Sequence, residues 1–166
     1  MKQSILFFLL CMFIINQGCK EVLPNKLPPI TAEGKGTFGY EADGEVQEGC
    51  IEGLWQSAHA IGNPNDSTFT LSGSCNSHSL SILLVANEKL EENKTYELIS
   101  DHNYIEYNDD NSVNYRSNIE DGSNAVINLH KIDLDAGIFA GTFSGTVFSK
   151  EGETVEITNG RFDMTL

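Results

Sequence analysis

Along residues 137–149, GIFAGTFSGTVFS, Phe139, Phe143 and Val147 fall at one parity with Gly141 and Gly145 between them, and Thr142, Ser144 and Thr146 fall at the other. Successive side chains of a strand point to opposite faces, so a period of two describes a half-buried strand and is incompatible with an amphipathic helix. The two glycines share the face of the aromatics, a pattern suited to a bend or to close packing where a sheet curls. The same alternation recurs. Phe38, Tyr40 and Ala42 alternate with Thr37, Gly39 and Glu41, and Asp43-Gly44 then supplies a two-residue hairpin turn leading into 45–47. Phe69, Leu71, Gly73 and Cys75 alternate with hydroxyl residues, and 80–86, LSILLVA, is apolar on both faces from Ile82 onward, as in a central strand. Further strands are expected over 96–99 and 124–132. In the last segment Val155 and Ile157 share a parity that Phe162, Met164 and Leu166 do not; one extra residue near Asn159-Gly160 reconciles them, which predicts a β-bulge there.

These patterns predict a single all-β domain, an antiparallel β-sandwich or flattened barrel of about seven to nine strands, without substantial helix after the N-terminal segment. Two stretches read differently. Residues 49–66 contain Gly53, Gly62 and Asn63-Pro64-Asn65-Asp66 and are expected to be irregular, with Trp55 as a plug beneath them. Residues 101–118, DHNYIEYNDDNSVNYRSN, are the least core-like and are expected to form a polar hairpin projecting from the body.

The first nineteen residues, MKQSILFFLLCMFIINQGC, carry Lys2, an apolar run of 11 residues from Ile5 to Ile15, and a Gly18-Cys19 junction. A run of this length is too short for a hydrocarbon core that needs roughly 20 helical residues, so the segment reads as an export signal. The junction resembles the lipobox of bacterial lipoproteins, with Asn16 where that motif has Leu. The resemblance implies cleavage before Cys19 and acylation of its sulfur and new amino group. The expected organisation is a signal peptide over 1–18, a proline-bearing tether over 19–35 with a reach of at most ~50 Å, and a β domain over 36–166. The tether holds Pro24, Pro28 and Pro29.

Leu27-Pro28-Pro29-Ile30-Thr31, then GKGTFGY over 34–40, the Asp43-Gly44 turn and Ile157-Thr158-Asn159-Gly160-Arg161-Phe162-Asp163 together resemble a family of small lipoproteins of Bacteroidetes. That family has no assigned biochemical activity, so the resemblance implies an envelope location and hands over no catalytic residues. Lys20-Glu21 is similar to the charged signals that send such lipoproteins to the cell surface. Outer-membrane anchoring with surface display is therefore the expectation.

Charge narrows the partners. With residues 1–18 removed, 148 residues remain, carrying 9 Lys and Arg against 24 Asp and Glu. Such a balance repels phosphate backbones and argues against nucleic acid. The membrane is reached through the lipid on Cys19; a glycan or an envelope protein is the candidate partner, and the oligomeric state is left open. Cys50 and Cys75 are the candidates for a disulfide, since two cysteines left over in an exported chain most simply pair. A loop of about 25 residues closed in this way is worth roughly 3 kcal/mol.

Chemistry-bearing constellations are sparse. His59, His78, His102 and His130 lie in separate segments without ligand spacing, so no metal and no cofactor is expected. Asp133-x-Asp135-x-Gly137 lacks the later positions of a calcium loop and reads as a hairpin turn. Gly141-Thr142-Phe143-Ser144-Gly145 lacks the spacing of a nucleophile elbow. Tyr104, Tyr107 and Tyr115, set among Asp and Asn, are the candidate ligand platform for a sugar; the competing reading is that Tyr107 and Tyr115 are a cross-strand pair stabilising their own hairpin. The expected function is a non-enzymatic binding or scaffold module. The alternatives are a lipocalin-like carrier of a small apolar ligand and, third, an envelope hydrolase.

Overall fold

The computed structural model describes residues 26–47, 59–63, 67–75, 77–118, 120 and 122–165, without the side chains of 59–63 and Cys75. Cys19, Cys50 and Trp55 lie outside the described residues. Every regular element among the described residues is a strand: β1 (Thr37–Ala42), β2 (Glu45–Val46), β3 (His59–Asn63), β4 (Thr68–Cys75), β5 (His78–Val85), β6 (Lys94–Glu97), β7 (Tyr104–Asn108), β8 (Asn114–Arg116), β9 (Val126–Asp133), β10 (Ile138–Ser149) and β11 (Thr154–Thr165). All pairings are antiparallel. The sheet runs β2-β1-β11-β10-β8-β7-β5-β4-β3, and a side branch of β9 and β6 leaves from β10.

The sheet curls into a half-barrel, because strands far apart in this order meet face to face. Phe69 of β4 stacks on Phe139 of β10 at 5.2 Å and on Phe162 of β11 at 5.5 Å. Phe38 of β1 stacks on Phe143 at 5.8 Å. Leu71, Ile82, Leu84, Ile127 and Leu129 fill the rest of the concave side. The inward parity of every long strand thus closes one core, in keeping with a sandwich or flattened barrel.

Strands β10 and β11, each 12 residues long, form the spine. Gly141 stands opposite Phe162, and Phe143 opposite Gly160. Each of these rings occupies the space that a glycine leaves, while Gly145 packs closely against Ala125. The predicted bulge is present. Gly39 and Glu41 of β1 oppose Arg161 and Thr158, and Phe143 and Gly145 of β10 oppose Gly160 and Ile157, so β11 carries one extra residue against both neighbours. Asn159, at φ 51°, makes the left-handed turn that this needs.

Beyond Ser144 the side branch parts from β10, which rejoins the main path at Phe148 and Ser149 opposite β8. Side chains close the fork. Asn124 Oδ1 accepts the Thr146 amide at 3.1 Å and Ser123 donates to the Thr146 carbonyl at 2.6 Å. Buried Ser117 donates to the Leu98 carbonyl and accepts the Ile105 amide at 2.8 Å.

Several expectations change. Among the described residues there are eleven strands, where the pattern gave about seven to nine, and β3 falls in the stretch expected to be irregular. β6 spans Lys94–Glu97, two residues earlier than the strand expected over 96–99. Residues 101–118 do not project: β7 and β8 lie between β5 and β10, and Ile105, Tyr107 and Tyr115 are buried. β5 is central, paired with β4 and β7, but only Leu80, Ile82 and Leu84 are buried, while Val85 is 40% exposed.

Candidate functional site

The three tyrosines of the expected platform do not converge. Tyr104 and Tyr107 are three residues apart on β7 and so face opposite sides of the sheet. On the outer side Arg116 lies over the Tyr104 ring at 3.7 Å and donates to the Asp101 carbonyl at 2.9 Å. On the inner side Tyr107 and Tyr115 are register partners of β7 and β8, with ring centroids 5.9 Å apart. They are 3% and 6% exposed, so their faces belong to the core and only their edges are offered outward.

What those edges line is an open groove of about 1040 Å³ at one end of the half-barrel, between the Asp43-Gly44 turn, Gln47, His78, Asp109 and the two tyrosines. The His78 ring lies nearly parallel to that of Tyr107, and its Nδ1 is 2.7 Å from the phenolic oxygen. Tyr115 donates to Glu153 at 3.5 Å. Tyr40 meets the Tyr107 ring edge-on at 6.2 Å, and its fully buried hydroxyl has no hydrogen-bond partner among the described residues.

The groove is electronegative, with Asp43, Glu45 and Asp109 in its lining and no Lys or Arg among its described lining residues. Burial pushes the Tyr107 phenol up to about 12, aided by Asp109, Asp110 and Asp43. Tyr115 is raised by burial, then by Asp109 and Glu153, and Tyr40 is raised further still by burial and by Tyr107. A phenol held so high stays neutral and neither gives nor takes a proton readily near neutrality. The arrangement offers hydrogen bonds and carboxylates to a polar ligand. Among the described residues no three His, Cys, Asp or Glu are placed to hold a metal ion.

A second constellation joins the segments that carry the sequence motifs. Asp163 faces outward on β11 yet is 1% exposed, because residues 27–35 lie over it as a strap. Its carboxylate accepts the Thr31 hydroxyl at 2.6 Å, the Glu33 amide at 3.0 and 3.1 Å and the Gly34 amide at 2.7 Å. Burial alone raises this carboxyl, but the hydrogen bonds from Thr31, Glu33, Gly34 and Lys35 outweigh it and hold the group below the ordinary range. Arg161 donates to the Pro28 carbonyl at 3.2 Å and Thr165 to that of Gly34 at 3.0 Å. Leu27 and Pro28 cover Gly39, where a Cβ would stand 2.8 Å from Pro28 Cδ. Gly34 sits at φ 72°, and a Cβ there would stand 2.8 Å from the Thr165 hydroxyl. The prolines of 27–31, the glycines of 34–40 and the Arg-Phe-Asp of β11 are thus parts of one clasp.

Sequence reasoning missed the pairing of His78 with Tyr107 and the clasp on Asp163. A carboxylate between Phe162 and Met164 was the only local signal for the latter. The disulfide and lipidation expectations fall on Cys50 and Cys19, outside the described residues, and Cys75 is described by its backbone alone. His130 contacts the Thr142 hydroxyl at 3.0 Å, and Asp133 caps its turn through the Ala136 amide at 3.0 Å, as a hairpin turn requires.

No curated protein and no solved structure matches the chain. Residues 36–164, from just before β1 almost to the end of β11, match a family whose description is Domain of unknown function (DUF6252), and the chain belongs to that family.

Proposed function

We propose that this is an exported lipoprotein, anchored to a bacterial outer membrane through lipid on Cys19, whose β domain is a non-enzymatic binding or scaffold module with the groove beside Tyr107 as its contact surface. The lipobox-like junction and the motif resemblance to small Bacteroidetes lipoproteins support the location. The groove carries the reading of activity: its neutral phenols, imidazole and carboxylates are suited to hydrogen-bonding a neutral or cationic polar partner, such as a glycan or the polar surface of an envelope protein. The stacked rings of Phe69, Phe139 and Phe162 fill positions that a lipocalin-like carrier of an apolar ligand would keep open. That favours the binding module over the carrier.

The test titrates the purified protein with neutral envelope oligosaccharides and, separately, with a fatty acid, reading binding by calorimetry and products by mass spectrometry. Saturable oligosaccharide binding without cleavage, weakened at least tenfold in the Asp43→Asn, Asp109→Asn double variant, is expected. Fatty-acid binding that ignores those substitutions would replace the module with a carrier, and cleavage of the oligosaccharide would make the protein a hydrolase.

A further inference from the structure

The clasp changes what the tether can do. A free linker over 19–35 would let the domain stand up to ~50 Å from its lipid. With residues 27–35 bound along β1 and β11 through Asp163, Arg161 and Thr165, the start of the strap at Leu27 is only eight positions after Cys19. Fully extended, that remainder reaches about 25 Å. The strap also selects a side, because it lies on the outward face of β1 and β11, the face of Gly39 and Asp163. Charge agrees with that choice. Residues 19–35 carry three basic and two acidic side chains, whereas residues 36–166 carry six basic and 22 acidic. An anionic headgroup layer repels the segment 19–35 less than the remainder of the domain, whose Glu41 and Glu156 stand on the same outward face of β1 and β11. Lys26 is exposed beside the strap, and Arg161 is held beneath it by Pro28.

We propose that the strap, clasped by Asp163, turns the β1–β11 face toward the bilayer and holds the domain within about 25 Å of the lipid, so that the module works on membrane-proximal partners. This rests on the reading of Cys19 as the lipid anchor. Thr31, Asp163 and Arg161 are positioning residues in this device and take no part in binding at the groove.

The experiment places the mature, acylated protein on a supported bilayer containing anionic lipid and measures the water gap beneath the protein layer by neutron reflectometry. A gap below about 25 Å is expected for the wild type, widening about twofold in a Thr31→Val, Asp163→Asn double variant. Thr31→Val alone, which removes one hydrogen bond and leaves the buried carboxylate, should give an intermediate gap if the double variant proves too unstable to study. A wide gap in the wild type, or equal gaps in wild type and variants, overturns the proposal. Hydrogen exchange separates the clasp from the anchor: the Glu33 and Gly34 amides should exchange at least tenfold more slowly in the wild type than in Thr31→Val. Fast exchange in the wild type overturns the clasp with or without lipid. Mass spectrometry finding no acyl group on Cys19 overturns the anchor, and the bilayer-facing proposal with it.

Discussion

The ring of Phe162 lies across the ladder from Gly141, in the space that a side chain on Gly141 would need. A Cβ there would stand 2.8 Å from Phe162 Cζ and 2.3 Å from the Asn128 carbonyl oxygen, which is backbone and cannot swing away. Gly141→Ala is therefore expected to destabilise the domain by about 1–3 kcal/mol through overpacking. Urea unfolding should show a lower midpoint with an unchanged slope; an unaltered midpoint would mean that β9 and β10 are farther apart than described.

Ser117 holds the fork of the sheet by serving the Leu98 carbonyl and the Ile105 amide at once. Ser117→Ala leaves both backbone groups buried without that partner, at an expected cost of about 2 kcal/mol or more. The effect should be local as well as global: hydrogen exchange at the Ile105 amide rises before that of the β10–β11 ladder. Uniform exchange across both would sink the idea that this hydroxyl ties the branches together.

Alkaline titration followed at the phenolate absorbance band tests the groove. Tyr107 ionises at about pH 12, above the ordinary phenol value near 10 expected in the unfolded chain. Between those values the unfolded state binds fewer protons than the folded one. The stability contributed by neutral Tyr107 is thus complete below pH 10 and is lost as pH rises through 12. Tyr107→Phe should remove the step near pH 12 and flatten that part of the stability profile. An ordinary titration of Tyr107 near 10 would show it to be solvated rather than buried against His78.

At Asn159 the bulge demands φ 51°. Asn159→Gly is expected to cost less than about 1 kcal/mol, because glycine takes this conformation freely and only the exposed bond to Glu41 is lost. Asn159→Val should cost about 1–2 kcal/mol, since a β-branched residue pays for the left-handed region. Thermal midpoints of the two variants in the same buffer decide it, and equal midpoints would mean that the bulge can move along β11.

Much of this fold could be read without coordinates. Alternation located β1, β4, β5, β10 and β11, and the clash of parity between Ile157 and Phe162 located the bulge, because both signals are local consequences of the pleat. The spacing of three between Tyr104 and Tyr107 already implied opposite faces, so the threefold platform was refutable from the numbering alone. β3 was hidden by Gly62 and Asn63-Pro64, residues that mark turns unless a neighbour supplies the ladder, as β4 does here. The strap was hidden more deeply. Residues 27–35 have no period, and an outward aspartate on a strand normally meets water; only the pairing of positions about 130 apart makes it a buried acceptor.

The first strand, β1, finds its long ladder only in β11, the last, and the strap waits for the same partner. The ladders from β3 to β8 join near neighbours in sequence, but the edge at β1 is set only when β11 is in place. A chain shortened before Thr154 keeps the alternating strands of its middle but leaves the outer edge of β10 bare, an adhesive surface for other chains. Contacts that join such distant positions also slow folding. The ladder between β1 and β11, and the strap laid over it, therefore close in a late step of folding.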